Sequence, residues 1–347
     1  MRYYLSFCVL IAHTAYLTGL ELPWIQRGTV DVGCFFAISG FLMFPSFQKN
    51  PTWKHYVKRR ALRILPPYVF IIVIAALLLV FVSDKSTIDY FSNSGFYKYL
   101  LANLSFMNFL HPNLPGVFES NEFVTSAVNG SLWTMKGEWV CYLSVPVVYS
   151  VVCKLGKNKG RILLIIIVLT SVVLRCLLLD LANEGRNVLY EIIARQFGTV
   201  FVFFYVGALL NICWVEFLKY KWYVLVIDLV IIMICDNIPF YYTLLQPFVA
   251  GSLVLWFSLI GHWGTMLSKH DSVSYDIYLF HFPIIQFVIF LGLPKILSPI
   301  GVLLVILSIT VPFAFMSWNL IGKRFSRLGN ESKLNCKRAI SLKKLKS

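Results

Sequence analysis

Apolar residues run in blocks along the whole chain, with short polar joins between them. The blocks fall at about 3–20, 30–47, 64–83, 138–153, 162–179, 193–213, 222–236, 241–261, 272–291 and 298–320. A helix needs roughly 20 apolar residues to cross a hydrocarbon core of about 30 Å, and most of these blocks approach that length. The pattern predicts an all-α, polytopic integral membrane protein of about ten transmembrane helices. No 20–50-residue repeat is visible.

Charge orients the blocks. An even number of spans puts both termini on one side, and placing them in the cytoplasm assigns 23 of the 31 Lys and Arg to that side, six of them in 48–63 and nine after 320. The opposite joins carry Glu21, Asp84, Asp89, Glu119, Glu122, Asp180, Glu184 and Asp236, as the positive-inside rule expects. The longest outer join, 84–137, is polar and aromatic with Asn, Pro, Gly and Ser punctuation, and is expected to cover a site. Residues 1–320 form the transmembrane domain, and 321–347 a basic cytoplasmic tail suited to anionic headgroups.

Composition agrees. Of 347 residues, 58% are hydrophobic and 14% charged, and the mean hydropathy is +0.74, against roughly 25% charged in soluble domains. The net charge of +15 sits in short joins, so it reads as topology and no nucleic-acid partner is expected. Eight scattered Cys without CxxC or CxxH spacing suggest neither a disulfide framework nor a metal site. The first apolar run lacks a basic leader beyond Arg2 and a small-residue cleavage site, so it is expected to stay in the protein.

Against this background the ionisable residues inside apolar runs are the candidate chemistry. His13 stands in SFCVLIAHTAYL, roughly 16 Å along a helix from Arg2; a hydrogen bond to a neighbouring helix and a chemical role account for it equally well. His281, in SVSYDIYLFHFP, falls at a similar depth, about 13 Å from a boundary at 272. Arg60 and Arg63 in KHYVKRRALRILPPY lie three apart at a helix start. There they serve either as a fork for phosphate oxygens or as ordinary positive-inside anchors. Glu138, Asp31, Arg175, Glu191 and Arg195 complete the costly groups, some of which are expected to pair with each other. Gly and Ser in AISGFLM and NGSLW suit close helix approach and tight turns. There is no GxxxxGK[ST], HExxH or GxSxG, so P-loop, zincin and serine-hydrolase chemistry have no support.

Five segments in order resemble the acyltransferase-3 family of membrane O-acyltransferases, which includes surface-polysaccharide acetylases. Arg2 with His13 resembles its Arg-x10-His motif, and RGTVDVGCFFAISGFLM its FFxxSGF signature. Arg60 and Arg63 before Pro66-Pro67 resemble its Arg-x-x-Arg motif. NGSLWTMKGEWVCYLSVP and SYDIYLFHFPI resemble its SLWxLxxE and SYxxYLxHxP segments. Two departures stand out: the chain begins Met1-Arg2 without the family's short Leu-Asp-Gly-Leu, and Asp31-Val32-Gly33 reverses its Gly-Val-Asp order.

The resemblance implies transfer of an acyl group, usually acetyl, from cytoplasmic acyl-CoA to a sugar hydroxyl of a surface glycan or lipid-linked oligosaccharide at a bacterial inner membrane, without a metal. It implies catalysis by His13 with Glu138, donor binding by Arg2, Arg60 and Arg63, and acceptor binding by Trp133, with His281 as a helper on the substrate side. Histidine suits the central role because its ordinary pKa of about 6.5 lies near neutrality. Intramembrane ionisable groups alone also fit a proton-coupled transporter of a sugar or lipid-linked glycan. The Arg pair where a soluble donor would arrive, and the lack of an inverted repeat, favour the enzyme.

Overall fold

The structure is a computed structural model and describes residues 1–20, 28–119, 125–185, 187–238, 241–259 and 273–329. Among these there is no strand, only one isolated bridge between Ser83 and Val117. The helices are α1 (Arg2–Thr18), α2 (Gly28–Gln48), α3 (Trp53–Leu78), α4 (Thr87–Ser92), α5 (Ser94–Leu104), α6 (Trp133–Gly185), α7 (Val188–Arg195), α8 (Val202–Ile212), α9 (Trp214–Met233), α10 (Gln246–Leu259), α11 (Val273–Phe290) and α12 (Pro299–Ser317).

Seven helical stretches among the described residues are long and apolar enough to cross a membrane: Val30–Gln48, Trp53–Val82, Gly130–Gly185, Val188–Ile212, Tyr241–Leu259, Val273–Phe290 and Pro299–Gly329. The chain is a multi-pass, all-helical membrane protein. The count differs from the apolar blocks for physical reasons. The 53 residues of α6 form two arms, broken at Gly156 by a φ of 75°, so one stretch holds the blocks at 138–153 and 162–179. Helix α1 has only 17 residues. Helix α9 carries Glu216, Lys219, Lys221 and Asp228, and its Asp228 is buried, accepting a hydrogen bond of 2.5 Å from Ser252 of α10. At the head of α9, Lys157 and Arg161 bond to Glu216 and hold its carboxyl down at about 2.

Two boundaries also shift. Helix α3 begins at Trp53, well before the block at 64, so Arg60 and Arg63 lie about two to three turns inside a helix instead of at its start. Within the segment 84–137, α4 and α5 occupy the first part, each capped by a side chain, Ser86 accepting from the Asp89 amide and Asn93 from the Gly95 amide. Past 320 the chain remains helical to Gly329, and the rest of the basic tail lies outside the described residues.

The chain divides into two compact units. The first comprises the described parts of 1–5, 27–51 and 137–269. Its centre is the contact of α2 with α8, where two glycines bring backbones together. A Cβ on Gly40 would lie 1.8 Å from the Phe204 carbonyl oxygen, and one on Gly207 would lie 2.0 Å from that of Ala37. Lipid tails are as apolar as leucine, so helices in a membrane associate by such close packing of small residues. This gives the SGF part of the second-helix signature a structural role. Helix α10 closes over the pair through Gly251, whose Cβ would lie 3.1 Å from Val206 Cγ1.

The second unit comprises the described parts of 6–26, 52–136 and 270–347. Helix α11 is its core. Fourteen of its 18 residues are buried, consistent with a helix apolar on every side. Helix α1 reaches it through Ser6, whose hydroxyl donates to the Ser274 carbonyl at 2.9 Å. Helices α4 and α5 are pinned to α3 by Tyr90, which donates to the Ala76 carbonyl at 2.8 Å, and by Tyr68, which donates to that of Asn103.

Candidate functional site

The site begins with a proline. Pro283 in α11 has no N–H, so the carbonyl four residues back, Leu279, loses its helical partner. Asn129 supplies one, its Nδ2 donating to Leu279 O at 2.9 Å. Around this bond the NGSLW segment is fastened to α11. Ser131 Oγ donates to Asn129 Oδ1 at 2.6 Å, the Tyr278 hydroxyl donates to Ser131 O at 3.0 Å, and Thr134 Oγ1 lies 3.0 Å from that hydroxyl. Gln286 extends the clamp, donating to the carbonyls of Thr125 at 2.6 Å and Ala127 at 2.9 Å. Two of the sequence segments thus meet through a bond that a helix without proline would not offer.

The clamp fixes the helix that carries His281. His281 is fully buried, and its Nε2 lies 2.7 Å from His13 Nδ1 on α1. The rings are 5.0 Å apart at their centroids with planes 11° apart, the arrangement of an edge-to-edge, in-plane N–H···N bond. The direction of that bond follows from the other nitrogen. His281 Nδ1 lies 3.2 Å from the Ile277 carbonyl, and a carbonyl only accepts, so Nδ1 carries the hydrogen. Neutral His281 then presents Nε2 as an acceptor, and His13 must donate from Nδ1. By this hydrogen-bond logic His13 Nε2 keeps its lone pair. His13 also retains partial exposure where His281 has none. The phenyl ring of Phe282 closes one edge of His13, centroids 5.5 Å apart.

Of the other residues singled out from sequence, Trp133, Arg60 and Arg63 belong to the same unit as the histidines. Trp133 opens α6 and is half-buried. The Arg60 guanidinium lies over the Tyr56 ring, 5.5 Å from its centroid, a cation–π contact. Arg63 lies one turn further along the same helix, α3. Arg2 and Glu138 belong to the other unit. There Arg2 donates to Ser39 Oγ at 3.3 Å, joining the first-helix arginine to the serine of the second-helix signature. Glu138 accepts from the Tyr142 hydroxyl at 2.6 Å, one helical turn along α6.

Sequence reasoning passed over Asp276 and Asn129. Asp276 is 1% exposed, and its Oδ1 accepts from Ser317 Oγ at 2.5 Å. An acidic residue inside SYDIYLFHF was the signal for it, since an intramembrane carboxylate is costly unless it has partners. Asn129 carried no such signal, because its importance depends on Pro283 lying across from it. Among the described residues no group of three His, Cys, Asp or Glu is arranged to hold a metal ion.

These observations define the class as a polytopic helical membrane protein with a hydrogen-bonded imidazole pair inside it. The chain belongs to the acyltransferase-3 family, described as "Acyltransferase domain", which matches residues 1–318. It is 23% identical over 334 residues to an O-acetyl transferase of Shigella phage Sf6, covering 91% of this chain and 92% of that protein. No solved structure matches.

Proposed function

We propose that this O-acyltransferase moves an acyl group, acetyl in the simplest case, from cytoplasmic acyl-CoA to a sugar hydroxyl of a surface glycan such as O-antigen, capsule or exopolysaccharide. It works as a protein of about ten spans in a bacterial inner membrane, with both termini cytoplasmic. The observation that carries the reading is the contact between His13 and His281, which leaves His13 Nε2 as an unprotonated imidazole nitrogen with a fixed orientation.

On this reading His13 Nε2 takes the proton of the acceptor hydroxyl as its oxygen attacks the thioester carbonyl. Collapse of the tetrahedral intermediate breaks the C–S bond, and the imidazolium returns the proton to the departing thiolate. His281 is a positioning residue: its Nε2 accepts from His13 Nδ1 and so favours both the required tautomer and the transient imidazolium, the part a carboxylate plays in a serine-hydrolase triad. If the acyl group is instead relayed, the same Nε2 is the nucleophile. Arg60 and Arg63 suit CoA phosphates, which guanidinium groups bind bidentately. Arg2 supports the donor side. Glu138 and Trp133 suit the sugar, the carboxylate accepting hydroxyl protons and the indole covering an apolar ring face.

The test is mass spectrometry of surface glycan from cells expressing the protein or its His13→Ala form at matched membrane levels. An acyl increment with the wild type alone supports the reading. The same increment with both removes His13 from the chemistry.

A further inference from the structure

In the first unit, the second arm of α6, α7, the start of α8 with the segment before it, and the start of α10 with the segment before it line an open cavity of about 210 Å³. Its polar lining is Arg175, Glu191, Arg195, Thr199, Tyr242 and Gln246. Arg175 stands in the run LTSVVLRCLLLDL, where a cation is costly and marks function by default. Among the described residues no carboxylate forms an ion pair with it. Arg195 and Glu191 are 3.8 Å apart and half exposed, so the lining carries two guanidiniums against one carboxylate.

The backbone is shaped for this arrangement. A Cβ on Gly198 would lie 2.3 Å from Arg175 Cδ and 2.5 Å from its Nε, so a helix has no side chain where the arginine crosses it. Gly198 and Thr199 lie in one π-helical segment, Gln196–Phe201, and Tyr242 in another, Tyr241–Leu245. Such segments are rare and concentrate at functional sites, since the extra residue per turn re-aims side chains. Two of them facing one cavity, with a glycine yielding to an intramembrane arginine, describe a built site.

We infer that this cavity binds the phosphate or diphosphate group of a membrane lipid; resting on the function proposed above, that lipid is the carrier of the glycan acceptor. Two guanidiniums with neutral donors from Thr199, Tyr242 and Gln246 match the several oxygens of a phosphate, whereas a single carboxylate is saturated by one bidentate arginine. The helices around the cavity also expose Val173, Leu177, Val188 and Leu189. The ligand therefore enters from the bilayer with its tail lying on apolar helix surface. Acyl transfer places the acceptor beside the donor only if the acceptor is held, and holding its lipid phosphate does so without reading the sugar.

The experiment is binding to the purified full-length protein in detergent, followed by native mass spectrometry. The probes are farnesyl diphosphate, dioctanoylphosphatidylglycerol and inorganic pyrophosphate. Farnesyl diphosphate is expected to bind saturably. Arg175→Gln is expected to weaken it about tenfold or more, the size of one charge-assisted contact. Thr199→Val, which keeps the shape, is expected to weaken it several-fold at unchanged Tm, which separates ligand contact from folding. His13→Ala is expected to bind like the wild type, so a failed acyltransferase assignment and a failed lipid site are told apart. Displacement by phosphatidylglycerol at equal concentration supports the phosphate site and assigns it to bulk phospholipid; resistance to it supports a carrier lipid. Equal binding by wild type and both cavity variants, or no saturable binding, overturns the inference.

Discussion

His13 and His281 are 268 positions apart in the chain, yet their imidazoles share one hydrogen bond of 2.7 Å. Because the far nitrogen of His281 is held by Ile277 O, the bond has one direction, and the two residues are unequal partners. One keeps partial exposure and presents a lone pair at Nε2; the other is sealed and sets its tautomer.

Replacing either histidine is therefore expected to have different consequences. His13→Ala should lower acyl transfer by about 10²–10⁴-fold, the range for loss of a general base. His281→Ala should also reduce turnover, but His281→Gln, whose amide oxygen can accept from His13 Nδ1, should recover part of it. Turnover by glycan mass spectrometry at matched expression reads both. Equal loss in the Ala and Gln forms of His281 would contradict the positioning role.

Pro283 and Asn129 should be coupled. Asn129→Ala leaves the buried Leu279 carbonyl without its donor, which is expected to cost about 1–3 kcal/mol. In a Pro283→Ala background the restored backbone N–H satisfies that carbonyl, so the same change should cost less. A double-mutant cycle on thermal unfolding in detergent gives the coupling; strict additivity would refute the bond's role.

The α2–α8 contact leaves no room for a methyl group. Gly40→Ala would drive Cβ into the Phe204 carbonyl, an overpacking expected to cost about 1–3 kcal/mol or more. A Cβ at Gly185 would meet nothing within 4 Å, so Gly185→Ala should leave Tm within experimental scatter. Melting temperatures of the two purified variants compare them directly.

Hydropathy alone determined that this chain is a multi-pass helical protein, because the need to satisfy every backbone group in hydrocarbon leaves helices as the structure an apolar run of this length adopts. The apolar runs and their joins picked out His13, His281, Arg60, Arg63 and Glu138, because ionisable residues stand out there, and the resemblance of the NGSLW segment to a family motif brought in Trp133. Local pattern could not determine which helices touch, since that depends on side-chain shape across elements far apart in sequence. Only the tertiary structure made His281 the orienting partner of His13, turned the missing N–H of Pro283 into a socket for Asn129, and matched Gly40 to a carbonyl on α8. It also set Gly198 under Arg175, so that one of the costly groups in the apolar runs forms a wall of a cavity. Each of these rests on two atoms meeting at contact distance, which no periodicity along one helix encodes.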